Sequence, residues 1–155
     1  MATETRLAGV NWRTLVSSLA QEHGWPAPSL RPPATAGSLA ALEVEFELAL
    51  PPDLRELLAE TDGVFDPEGG AILDGVEGIA DMNRYARGPE AVGFMPLESL
   101  FFFSSAPGNG DYVGYGLRQD RGVPAVYRWD HEDDSRQWQA PDLTTWLRWT
   151  FEREI

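Results

Sequence analysis

The stretch FFFSSAPGNGDYVGYGLRQDRGVPAVYRWDH, residues 101–131, decides the fold of this 155-residue chain. Three phenylalanines lead into a loop of glycine, asparagine and aspartate, and apolar residues alternate on both sides of a second turn at residues 119–122. Alternation with period two is typical of strands with one buried face, and Gly, Asn and Asp adopt the backbone conformations of tight turns. The stretch therefore predicts an antiparallel meander.

Working outward, further strands are expected on either side of this stretch. An acidic turn follows it, and a returning strand follows the turn. A three-residue strand is expected earlier in the chain. Another strand contains Pro96, which lacks a backbone N–H, so this strand is expected to be irregular and to lie at an edge of the sheet. The predicted strands are Ala71–Leu73, Phe94–Leu97, Phe101–Ser104, Tyr112–Leu117, a segment with Val123, Ala125, Tyr127 and Trp129 at period two, and Arg136–Gln139.

Helical periodicity flanks the predicted sheet, with Asn, Ser, Asp or Pro where each helix begins and Gly after two of them. The predicted helices are Asn11–His23 capped by Asn11 and closed by Gly24, one from the cap Ser38 to about Glu47, one from Pro52 that ends before Gly63, a short one around Ile79–Tyr85, and one that Asp142 caps and that buries Leu143, Trp146, Leu147 and Phe151. Helices, then strands, then a helix predict an α+β fold in which helices flank a central antiparallel sheet.

The length predicts a single domain over residues 1–155. Residues 11–23 and the proline-rich connection 25–37, which shows no periodicity, are expected to extend a core at residues 38–152. The chain has no cysteine, which excludes disulfides and thiolate chemistry. Neither a signal-like N-terminus nor a long apolar run occurs in the sequence, so we expect a cytoplasmic protein that does not bind membranes.

The formal net charge of -13 is the strongest feature of the composition. A nucleic-acid backbone would be repelled, whereas a basic protein would be attracted, so we expect a protein partner and no nucleic acid. Seven acids and no basic residue lie between Glu60 and Asp81. With the loop and the acidic turn of the opening stretch, this segment supplies the predicted partner-binding residues: Asp62, Asp66, Glu68, Asp74, Glu77, Asp81, Asp111, Tyr112, Glu132, Asp133 and Asp134.

The sequence gives only weak signals for a phosphate site, a metal site or a catalytic site. The loop at 108–111 could cradle a phosphate, but it has no P-loop lysine and Asp111 would repel the anion. The turn at 130–134 offers carboxylates and His131, yet adjacent residues rarely converge on one metal ion. The carboxylate pair of a glycosidase is defined by the distance between its two members, which composition alone does not give. The Gly-x-Ser-x-Gly motif of serine hydrolases does not occur in the sequence. We therefore predict no catalytic residue, no cofactor and no metal.

Five of the six tryptophans divide into two groups by their spacing. Trp12, Trp129 and Trp146 lie at positions that helical or strand periodicity predicts to be buried. Trp138 and Trp149 are not determined in this way. They could pack in the core or remain exposed, for example in a sugar-binding cleft.

Three segments, in order and spacing, resemble the SUKH superfamily, also called Smi-Knr proteins. They are Leu50-Pro51-Pro52-Asp53-Leu54 followed by Leu57-Leu58 and Asp62-Gly63; Pro107-Gly108-Asn109-Gly110-Asp111-Tyr112; and Tyr127-Arg128-Trp129-Asp130-His131-Glu132 before a tryptophan-rich helix. The resemblance covers residues 38–152.

The resemblance implies an α+β domain without enzymatic activity that binds a protein. Many bacterial members are immunity proteins that block a toxin domain, frequently a nuclease, whereas fungal members suggest the alternative role of an adaptor in a cellular complex. One departure is Asp62, because members of the superfamily usually carry glycine or asparagine before the glycine at position 63. This acid makes the end of the preceding helix more negative and is expected to leave the fold intact. From the resemblance and the acidic charge, the expected partner is a basic toxin domain.

Overall fold

The computed structural model describes residues 11–91, 93–117 and 124–153. Within these ranges the chain forms five α-helices and two antiparallel sheets, which confirms the predicted α+β fold. None of the described helices is long and apolar enough to cross a membrane. The helices are α1 Trp12–Glu22, α2 Ala36–Phe46, α3 Pro52–Glu60, α4 Val76–Ala86 and α5 Leu143–Arg153.

The larger sheet is the predicted meander, in the order β4-β5-β6-β7. Its strands are β4 Leu100–Ser104, β5 Tyr112–Gly116, β6 Val126–Trp129 and β7 Arg136–Ala140. In the strand register, Tyr115 lies opposite both Phe101 and Val126. Glycine is required at position 114, because a Cβ there would lie 2.3 Å from the carbonyl oxygen of Phe101. The turn predicted at residues 119–122 lies outside the described residues.

The smaller sheet, in the order β1-β2-β3, is mostly unforeseen. Its strands are β1 Ser29–Leu30, β2 Val64–Phe65 and β3 Ala71–Leu73, of which only β3 is predicted. Two-residue strands are too short to show a period, and tertiary pairing defines them. The proline-rich connection is thus part of a sheet, where Ser29 lies opposite Phe65.

Two local predictions are wrong. Helix α2 begins at Ala36 and its cap is Thr35, whose hydroxyl accepts the backbone N–H of Ser38 at 3.0 Å. Both residues can cap a helix, and the earlier hydroxyl meets the free amide three residues on. Instead of a strand at Phe94–Leu97, the structure has one isolated β-bridge at Phe94, and the 3₁₀ turn Leu97–Ser99 precedes β4.

One continuous core holds these elements together. Trp12, Trp129 and Trp146 are buried in it, as their spacing predicts. Helix α4 is fastened to the outer edge of β4 by Asn83, whose side chain accepts the N–H of Phe102 and donates to its carbonyl, both at 2.9 Å. The edge at β4 is therefore covered, while β7 forms the other edge of the sheet in the described part of the chain.

Candidate interaction surfaces

The loop between β4 and β5, residues 105–111, connects the two acidic segments of the sequence. At its start, the carboxylate of Asp74 accepts hydrogen bonds from the N–H and hydroxyl of Ser105, at 2.6 and 2.9 Å. At its end, Asp111 accepts the N–H of His131 at 3.1 Å. The segment 60–81 and the turn 130–134 are therefore held against opposite ends of one loop, although they are about fifty residues apart in sequence.

Five of the predicted partner-binding acids are exposed in the two segments that this loop holds, and we call them the acidic surface. Within the described ranges, the carboxylates of Glu68, Glu77 and Glu132 form no ion pair. Asp81 lies 3.3 Å from Arg84 on the same helix face, an exposed pair of small energetic value. The acidic surface consists of Glu68, Glu77, Asp81, Glu132 and Asp133.

Two further predicted acids, both half-buried, shape the backbone. Asp62 accepts the first N–H of α4, that of Val76, at 2.8 Å and thereby caps this helix from a distant position. Asp66 accepts the N–H groups of Glu68 and Gly70, each at 2.9 Å. The aspartate that departs from the superfamily pattern thus has a structural partner in this chain.

Asp134 likewise serves the fold. Its carboxylate accepts hydrogen bonds from the indole N–H of Trp129 at 2.7 Å, from Arg136 at 2.8 Å and from the N–H of Met95 at 2.8 Å. Burial alone raises the pKa of Asp134, but the hydrogen bonds, from Arg136 first, outweigh burial and lower it. The residue adopts positive φ, at 63°, within the turn that it anchors.

Asp111 is only 3% exposed and lies between the partly exposed side chains of Arg128 and His131. Its Oδ2 accepts Nε and Nη2 of Arg128 at 3.1 and 2.9 Å, and its Oδ1 lies 2.7 Å from Nδ1 of His131. Burial raises the pKa of Asp111, but the hydrogen bonds from His131 and Arg128 together lower it. Both oxygens of this carboxylate are thus occupied by hydrogen bonds inside the protein. A partner at this position would contact the side chain of His131 or Arg128 instead.

Asp111, Asp130 and His131 are the described group in which metal-ligand atoms come closest, all within 4.8 Å of one another. Both oxygens of Asp111 already accept hydrogen bonds from His131 or Arg128. A cation there would lie beside the Arg128 guanidinium. The arrangement is therefore that of an internal ion network.

Tyr112 lies at the border of the acidic surface and is half-buried. Its ring packs against Phe102 and Trp129, with centroid distances of 5.2 and 5.9 Å. Burial raises the pKa of its hydroxyl, and the charges of Asp74 and Asp81 act in the same direction. The hydroxyl consequently remains protonated and able to donate a hydrogen bond near these carboxylates.

A second surface, which the sequence did not reveal, adjoins the same loop. Here a cavity of about 380 Å³, which we call the arginine pocket, opens between α5 and the strands β5 to β7. Ala106 and Pro107 of the loop contribute to its wall, and none of the described residues that line it is acidic. Its other lining residues include Arg128, Gln139, Trp146, Thr150 and Arg153.

Two exposed tryptophans bridge the same strand and helix. Trp138 of β7 is 53% exposed and Trp149 of α5 is 38% exposed, with ring centroids 6.3 Å apart. Part of this surface could have been found from the sequence, because Trp146, Thr150 and Arg153 recur at the spacing of one helix face. Arg128 could not, since only the sheet brings it to α5.

The sequence model of the SMI1 / KNR4 family (SUKH-1) matches residues 33–149. The matched region runs from just before α2 into α5, and so contains the whole larger sheet, the loop 105–111 and all five acids of the acidic surface. Helix α1 and strand β1 precede it. No curated protein matches the chain significantly.

Proposed function

The chain belongs to the SMI1 / KNR4 family (SUKH-1), and on this premise we propose that it is a non-enzymatic immunity protein that binds and neutralises a basic toxin domain in the cytoplasm. The acidic surface carries the proposal. Three of its five acids, Glu68, Glu77 and Glu132, form no ion pair in the described part of the chain. Exposed like charges repel one another and cost stability, but they accelerate encounter with a basic partner. A binding role accounts for this otherwise unfavourable arrangement.

Neutralisation would proceed by occlusion. A toxin that acts on a polyanion, such as a nuclease, presents a basic active site, and the exposed carboxylates would occupy that site in place of its substrate. The hydrogen bonds of Asp62, Asp66 and Asp74 hold the backbone beneath these carboxylates in place. Tyr112 would supply an aromatic contact at the border, with a hydroxyl able to donate.

Charge reversal tests the role of the acidic surface. The variant Glu68→Arg, Glu77→Arg, Glu132→Arg removes three carboxylates that have no ion pair in the described part of the chain. We expect association with the toxin domain to slow by about 10 to 10³-fold, with a weaker dependence on salt, while the melting temperature stays the same or rises. Surface plasmon resonance at several salt concentrations measures the association rate and its dependence on salt, and thermal unfolding measures the melting temperature.

A matched control reverses three exposed acids elsewhere, Glu22→Arg, Glu47→Arg and Glu90→Arg, with an identical change in net charge. If the control slows association as much as the test variant, net charge acts and no particular surface is involved. The partner is identified by affinity capture from the native cell. Capture of a basic domain whose toxicity disappears on co-expression of this chain supports immunity, whereas a non-toxic partner from a cellular complex favours the adaptor role.

A further inference from the structure

The described residues that line the arginine pocket carry more positive than negative charge, although the protein is strongly acidic. Arg128 is balanced by Asp111, and its Nη1 makes no hydrogen bond to the described residues. Arg153 is exposed and forms no ion pair within the described ranges. The described residues that line the pocket therefore contribute about one net positive charge, since none of them carries a carboxylate.

The polar groups of the pocket suit a small planar anion. Gln139 offers an amide and Thr150 a hydroxyl beside the two guanidinium groups, while Val113 and Trp146 supply an apolar wall. Guanidinium groups bind carboxylates through paired hydrogen bonds, which are about twice as strong as those between neutral groups. Outside the pocket, Trp138 and Trp149 leave large aromatic surfaces exposed on the same strand and helix, and such side chains are enriched at protein interfaces.

We propose that the arginine pocket binds the carboxylate of an acidic side chain from a protein partner, and that Trp138 and Trp149 contact the chain around that side chain. This inference rests on the protein-binding function proposed above and adds a second contact of opposite charge. A carboxylate is favoured over a phosphate because one net positive charge matches a monoanion. The net charge of -13 also repels a dianion more strongly.

Nuclear magnetic resonance of the full-length, ¹⁵N-labelled chain tests this assignment. The probe is N-acetyl-glutamic acid amide, compared with its neutral isostere N-acetyl-glutamine amide and with inorganic phosphate. We expect the acid to produce saturable shifts at the Arg153 Nε–H, the Gln139 amide and the Trp146 indole N–H, and the isostere to produce none. Arg153→Gln should weaken binding of the acid by about tenfold.

Arg148→Gln is the matched control, because Arg148 is exposed on the same helix, forms no ion pair in the described part of the chain, and does not line the pocket. It should leave binding of the acid unchanged. The inference is overturned if the acid produces no saturable shift, if the neutral isostere shifts the same signals, if phosphate binds more tightly than the acid, or if the two arginine variants behave alike. A pocket that binds the acid while charge reversal of the acidic surface leaves toxin association unchanged would refute only the immunity mechanism.

Discussion

The acidic surface and the arginine pocket are both associated with the loop 105–111, yet they are built in different ways. The acidic surface consists of exposed acidic side chains from two segments of the chain. The pocket consists of residues from the loop, three strands and a helix, and one of its walls is the buried Trp146. The difference shows that charge density can be read from a sequence segment, whereas a cavity depends on how distant segments pack.

Trp146→Ala should have the largest effect on folding. Its ring is 3% exposed and lies 5.2 Å from Phe103, so truncation leaves a cavity and lowers the free energy of unfolding by about 3 to 5 kcal/mol. Glu77→Ala on the acidic surface should change it by no more than about 0.5 kcal/mol. Urea unfolding of both variants measures the contrast. Equal losses in the free energy of unfolding would contradict the view that the pocket is part of the core and the acidic surface is not.

Asp111→Ala should have the next largest effect. It removes the buried acceptor shared by Arg128 and His131, at the end of the loop 105–111. Because hydrogen bonds to charged groups contribute about 1.5 to 3 kcal/mol, we expect a loss of that size in the free energy of unfolding. Glu132→Ala, an exposed acid in the adjoining turn, serves as the control and should be nearly neutral. A neutral Asp111→Ala variant would contradict the internal role given to this carboxylate.

The exposed tryptophan pair should show only weak coupling. Edge-to-face contact between Trp138 and Trp149 predicts an interaction free energy of about 0.5 kcal/mol in a double-mutant cycle of alanine variants, at the low end of aromatic pairs because both rings are partly exposed. Urea unfolding of the two single variants and the double variant gives this quantity. A coupling as large as the cost of Trp146→Ala would show that the pair belongs to the core and is not a free contact surface.

The smallest expected effect is a dependence on pH. The hydrogen bond to Asp111 raises the pKa of His131, against a smaller opposing effect of burial, and the charges of Asp111, Glu132 and Asp130 raise it further. Protonated His131 therefore stabilises the folded state fully below its unfolded pKa of about 6.5, and this stabilisation is lost as the pH rises through the folded pKa. Unfolding measured at about pH 5.5 and about pH 8.5 should show a difference that shrinks in His131→Gln. An unchanged difference in this variant would assign the pH dependence to other groups.

Most regular elements could be predicted from the sequence because their signals are local. Period-two alternation located three strands of the meander within a few residues, and helical spacing with the cap Asn11 located α1. The cap of α2 and the short strands β1 and β2 could not be located in this way. At α2 two hydroxyl residues, Thr35 and Ser38, can each cap a helix, and a two-residue strand has no period.

The sequence by itself determined the α+β class, the larger sheet, the buried tryptophans and the concentration of acids, because composition and periodicity specify each of these. Only the tertiary structure decided which acids remain exposed, how the segments 60–81 and 130–134 come to share one loop, and that Arg128 lies near Arg153. The physical reason is that burial and ion pairing depend on distances between residues far apart in the chain. Asp111 illustrates this: it was predicted as a contact residue, but its burial and its hydrogen bonds to Arg128 and His131 place its carboxylate inside the protein, at the boundary between two oppositely charged surfaces.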